Sequence, residues 1–108
     1  MRITSYTQLD TYEAQGPYLN IYWDEQAHEP REGETEPYWT YEMCRAMTLD
    51  TYGQLVVKLI RHRYSVDDEF AAINEGGERY DEMLAWRDGA KELARGWIHP
   101  PLPWAAVR

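Results

Sequence analysis

From Tyr38 to Arg63 the chain reads Tyr-Trp-Thr-Tyr-Glu-Met-Cys-Arg-Ala-Met-Thr-Leu-Asp-Thr-Tyr-Gly-Gln-Leu-Val-Val-Lys-Leu-Ile-Arg-His-Arg. One hydrophobic period gives way to another inside this stretch. Up to Met47, the residues Trp39, Tyr41, Met43 and Met47 alternate with Thr40, Glu42 and Cys44, the two-residue period of a half-buried strand. From Tyr52 onward, Tyr52, Leu55, Val56, Leu59, Ile60 and Arg63 fall three and four apart, and Asp50 or Thr51 stands where a helix takes its cap. Strands before the switch and helices after it predict an α+β fold.

The same grammar extends in both directions. Toward the N-terminus, Tyr18 to Trp23 predicts a strand with Tyr18, Asn20 and Tyr22 on one face and Leu19, Ile21 and Trp23 on the other. Gly16-Pro17 punctuates the chain before it, and Arg2 to Leu9 predicts a first strand. Residues 24–37 carry Pro30, Gly33 and Pro37 among acids, the composition of a solvated loop. Toward the C-terminus, Ser65-Val-Asp-Asp68 has capping-box spacing and opens a short helix from Val66 to about Asn74, closed by Gly76-Gly77. A last helix is expected from Glu78 to about Arg95, with Gly96 just past its end. Its apolar stripe is Met83, Trp86, Ala90, Leu93 and Trp97, and Gly89 inside it costs about 1 kcal/mol relative to Ala and invites a bend. The tail 97–108, with His99-Pro100-Pro101-Leu102-Pro103-Trp104, is expected to run extended along the surface with Trp104 tucked in. The expected architecture is one domain over 1–108: a small antiparallel sheet from an aromatic part, 1–48, packed against about three helices from 49–96.

Composition narrows the function classes. The chain has 108 residues, 19 acids against 11 bases and a net charge of −8. An acidic balance disfavours direct nucleic-acid binding, which needs clustered Lys and Arg to neutralise phosphates. No apolar run is long enough to span a membrane, and no secretory signal opens the chain, so a cytoplasmic protein is expected. With Cys44 as the single cysteine, neither an internal disulfide nor a multi-cysteine zinc site can form.

The motifs of chemistry are missing. His28, His62, His99 and Cys44 show none of the spacings of a metal centre, and no cofactor is expected. Cys44, on an aromatic strand, reads as a small core residue rather than a nucleophile. Asp67-Asp68-Glu69 is explained by the helix dipole and the Ser65 cap, and Lys58, Arg61 and Arg63 by the opposite end of a helix. No glycine-rich phosphate loop or nucleophile elbow occurs, so no catalytic residues are assigned and no enzyme is expected.

One segment has functional leverage. Residues 24–42 hold Asp24, Glu25, Glu29, Glu32, Glu34, Glu36 and Glu42 against the single base Arg31. If extended, Glu32, Glu34 and Glu36 would present carboxylates about 6–7 Å apart, close to the phosphate repeat of a nucleic-acid strand. Tyr38, Trp39 and Tyr41, of types enriched at binding hot spots, adjoin them. The candidate partner-binding residues are therefore Glu25, Glu29, Glu32, Glu34, Glu36, Tyr38, Trp39 and Tyr41.

Between Leu55 and Gly96 the chain resembles a group of small phage and prophage proteins of gut bacteria. The likeness rests on Leu59-Ile-Arg-His-Arg-Tyr-Ser-Val-Asp-Asp-Glu-Phe-Ala71, then Tyr80, Trp86, Ala90-Lys91 and Ala94. Glu75-Gly-Gly-Glu78 replaces the group's longer basic connection, and the Pro-Trp tail is not a feature of the group. The resemblance implies a mobile-element origin and supplies no catalytic residues. The expected function is a non-enzymatic acidic module that binds a host or phage protein with a basic surface, of the inhibitor, anti-defence type. The alternative is a virion or tail-assembly protein acting as a homo-oligomer through the Met83/Trp86/Leu93/Trp97 stripe or Trp104.

Overall fold

A computed structural model describes residues 1–98. The chain divides into two compact units, strands up to Leu49 and helices from Asp50. Four antiparallel strands, β1 (Arg2–Ser5), β2 (Tyr12–Gln15), β3 (Tyr18–His28) and β4 (Tyr38–Met47), form one sheet in the order β1-β4-β3-β2. Three helices follow: α1 (Tyr52–Arg63), α2 (Val66–Glu75) and α3 (Gly77–Trp97). The α+β class and its N-to-C division are as expected. No described helix is long and apolar enough to cross a membrane.

The strand unit departs from expectation in three places. β1 stops at Ser5 rather than Leu9, because residues 6–11 leave the sheet edge and Leu9 instead donates its N–H to the Tyr41 hydroxyl at 2.9 Å. β2 was hidden in polar sequence. It forms because Gly16, with φ 56°, lets a two-residue turn with Pro17 fold Gln15 back against Tyr18. β3 continues past Trp23 to His28, so Asp24–His28 belong to a strand and the loop shrinks to 29–37. A bulge makes this possible. Trp23 pairs with Glu42 and Gln26 with Thr40, so β3 spends one residue more than β4, and Asp24 takes φ 55°. Asp tolerates that conformation better than most side chains.

Register assigns the faces. Leu19, Ile21 and Trp23 share one face with Cys44 and Ala46, and Leu19 and Ile21 are fully buried. Tyr22, Tyr41 and Asn20 lie on the other, also buried. The buried Asn20 amide is satisfied: it donates to Glu13 and Gln15, each at 3.3 Å, and accepts from Arg45 Nε at 3.0 Å.

In the helical unit both caps are formed. Thr51 caps α1 with Gln54 answering, and Ser65 caps α2 with Asp68 answering. Leu55, Leu59 and Ile60 of α1 are buried, as are Met83, Ala90 and Ala94 of α3. Trp86 Nε1 donates to the Leu59 carbonyl at 3.0 Å, tying α3 to α1. Gly76, at φ 67°, ends α2 as expected, but α3 starts one residue earlier and runs through Gly96 to Trp97. Leu93 and Trp97 are half-buried, and Ala94 takes the inner position that the stripe assigned to them. The expectation for the tail lies, from His99 on, outside the described residues.

Candidate protein-binding site

β3 and β4 pair from Tyr18↔Met47 to His28↔Tyr38 and form a long hairpin whose turn, 29–37, holds most of the acids. The turn is not extended. Glu34 N–H donates to the Arg31 carbonyl at 2.9 Å, and Gly33 at φ 83° lets the chain reverse there. The even carboxylate spacing expected along Glu32, Glu34 and Glu36 is therefore not formed, because the chain changes direction between them.

The hairpin neck is pinned by aromatic contacts. The His28 and Tyr38 rings stack 4.7 Å apart and nearly parallel, at 6°. The Arg31 guanidinium lies 4.5 Å from the Tyr38 centroid, within cation–π range. Tyr6 approaches Tyr38 at 6.3 Å and donates its hydroxyl to Glu34 at 3.0 Å. That bond to a carboxylate raises the Tyr6 pKa. Tyr6, Gly33, Glu34, Thr35 and Glu36 line an open cavity of about 370 Å³.

The seven acids divide by partner. Arg2 binds Asp24 at 2.9 Å and approaches Glu42 at 4.0 Å, and the N-terminal ammonium reaches Glu42 at 3.5 Å. Those two charges are locally balanced. Glu25 accepts from the Tyr41 hydroxyl at 2.7 Å and from Gln8 at 3.3 Å, and Glu34 from Tyr6; these bonds orient the carboxylates without neutralising them. Glu29, Glu32 and Glu36 are exposed and have no hydrogen-bond or ion-pair partner among the described residues. The five acids named from the sequence are those without a cation in ion-pair range.

The aromatic candidates fare differently. Tyr38 and Trp39 are half-buried, but their positions alternate, so they point to opposite faces of the sheet. Tyr41 is a correction: at 2% exposure its ring is core. Burial first, and then the Glu25 bond, raises its pKa, and its hydroxyl orients Glu25 from beneath. Residues that shape the site and escaped sequence reasoning are Arg2, Tyr6, Gln8, His28 and Arg31. Only the pairing of β1 with β4 brings the first of these to the hairpin, and no local spacing announces it.

No family model matches the chain, and no curated protein or solved structure matches it.

Proposed function

We propose that this protein is a non-enzymatic binding module that presents the acidic β3–β4 turn to a basic surface of a partner protein. The observation that carries this reading is the division of the acids. Arg2 and the N-terminus balance Asp24 and Glu42, while Glu25, Glu29, Glu32, Glu34 and Glu36 lie on a pinned hairpin with Arg31 as the one base in their turn and no cation in ion-pair range among the described residues. Concentrated like charge costs stability unless something else uses it, and it accelerates association with a surface of opposite sign. With the resemblance to phage proteins, the specific form of the proposal is a mobile-element inhibitor that occupies a nucleic-acid-binding surface of a host protein.

The test is competition. The protein should displace nucleic acid from a basic nucleic-acid-binding target, and association should slow steeply with added salt. Changing Glu25, Glu29, Glu32, Glu34 and Glu36 together to Gln should lower the association rate about tenfold or more at low salt. Unchanged binding in that variant sinks the proposal.

A second reading, assembly as an oligomer, is favoured by α2. Val66, Phe70 and Ile73 form a stripe there and are 51%, 61% and 53% exposed. Met83, named in the expected contact, is fully buried, so α2 replaces that stripe as the candidate contact. Light scattering of the native chain and of Phe70→Ser separates the readings: a native oligomer that dissociates on substitution supports assembly.

A further inference from the structure

β3 is 11 residues long, but β2, the edge strand beside it, has only 4. β2 pairs with Tyr18 to Ile21, and its lane ends where the Tyr22 N–H donates to the Thr11 carbonyl at 2.7 Å. The chain ahead of β2 then leaves the edge: Leu9 donates to the Tyr41 hydroxyl and Gln8 to the Glu25 side chain. No described strand pairs with Asp24 to His28 on that side. Alternation along the ladders fixes which main-chain groups are left over. The Met43 N–H donates to the Met1 carbonyl, so Met43 faces β1 and its even-numbered neighbours Thr40 and Tyr38 face β3. Their partners across the bulge, Gln26 and His28, therefore face β4, and Ala27 between them turns its N–H and carbonyl outward. Asp24, Glu25, Gln26 and Ala27 are all exposed, so this length of edge is open to solvent.

We propose that the β3 edge from Asp24 to His28 accepts an extended basic segment of the partner protein as a fifth strand, with a Lys or Arg opposite Ala27 reaching Glu25. An open edge is a template for strand addition, and side chains decide which strand it admits. Two copies of this chain would set Glu25 and Glu29 against their own counterparts, and like charges across a ladder are destabilising. A basic strand meets the opposite situation. Tyr41 and Gln8 already orient the Glu25 carboxylate, at 2.7 Å and 3.3 Å. Ala27 pairs with Trp39, so its side chain lies on the Tyr41 face, where its small size leaves room for a long side chain opposite. The bulge at Asp24 reverses which residues point outward, so the incoming strand forms its own ladder instead of prolonging β2. A short segment is enough, since β1 and β2 hold the edges of this sheet with 4 residues each. Strand addition rests on the reading of the acidic hairpin as a binding surface and adds the main chain to its means of recognition.

The test is an NMR titration of the full chain with a short end-blocked peptide of alternating Lys and Val. A second version, N-methylated at every peptide bond, keeps the charges and loses the N–H donors. The first peptide should slow hydrogen exchange at the Ala27 amide and give cross-strand contacts to residues 25–28. The methylated one should bind about tenfold more weakly or worse. Ala27→Lys, at an exposed position, should weaken the first peptide to a similar degree with the remaining amide spectrum unchanged. Equal binding by the two peptides overturns strand addition while leaving the hairpin as a charged contact surface, and so does a bound peptide that leaves Ala27 exchange unchanged. Absence of binding by the first peptide overturns it as well. Ala27 protection that rises with protein concentration alone assigns the edge to a second copy, against the proposal. Peptide binding unaffected by the five Glu→Gln changes would mark failure of the underlying acidic-surface reading, and strand addition would fall with it.

Discussion

Tyr6, Tyr12, Tyr22 and Tyr41 all hold their phenolic protons above the usual 10.0. At Tyr6 the bond to Glu34 is the main cause; at the other three it is burial, with Glu13 adding at Tyr22 and Glu25 at Tyr41. Above pH 10 the native chain then binds more protons than the unfolded one, so stability falls as pH rises through 10 toward the native values. Ultraviolet titration should show these tyrosines ionising late in the native protein and at the ordinary value after denaturation. Coincident native and denatured curves would refute the assignment. Asp68 behaves in the opposite sense. The Ser65 backbone N–H, followed by its hydroxyl, lowers the Asp68 pKa below 3.8, so its contribution is present above that value and lost as pH falls through the lowered one. Gly89 is a third local case. A Cβ built there meets Trp86 at 3.7 Å, an ordinary contact, and its φ is not positive. Gly89→Ala should therefore stabilise the protein by about 0.5–1 kcal/mol in denaturant titration.

Among the elements, helices were more legible than strands. Their signals sit within four residues of the atoms they satisfy: Thr51 with Gln54, Ser65 with Asp68, and the Gly76 that ends α2. Replacing Thr51 or Ser65 with Ala should cost about 1 kcal/mol each, and nearly additively, as measured by the denaturation midpoint. An unchanged midpoint in both would mean that the boxes contribute nothing in solution. Strand boundaries depend on what a partner strand offers, near in sequence or far. β2, Tyr-Glu-Ala-Gln, has too little apolar content to announce itself and is a strand because β3 offers it an edge. The acids of β3 read as loop because their charge is visible in the sequence. The Arg2 side chain that holds the Asp24 bulge comes from a strand two places away in the sheet. The end of α3 was misplaced for a related reason. Glycine permits a helix to stop but does not compel it, and the Ile98 N–H still bonds to the Ala94 carbonyl.

On the scale of the whole molecule, a net charge of −8 must be distributed somewhere. Glu29, Glu32 and Glu36 gain no ion pair from their position, so replacing all three with Gln should leave stability unchanged or raise it by up to about 0.5 kcal/mol at low ionic strength. Thermal melts at two salt concentrations check this, with the gain shrinking at the higher one. A clear loss of stability would show that these acids support the fold rather than await a partner. Composition, hydrophobic period and capping spacing determined the α+β class, the order of strands before helices and the identity of the acidic segment. Those depend on local free energies and on charges that no folding can remove. Only the tertiary structure decided that Tyr41 is core and which acids find a cation. Burial and ion pairing are set by residues some 20 to 40 positions away, and a sequence window carries no record of which distant side chain the sheet will place beside it.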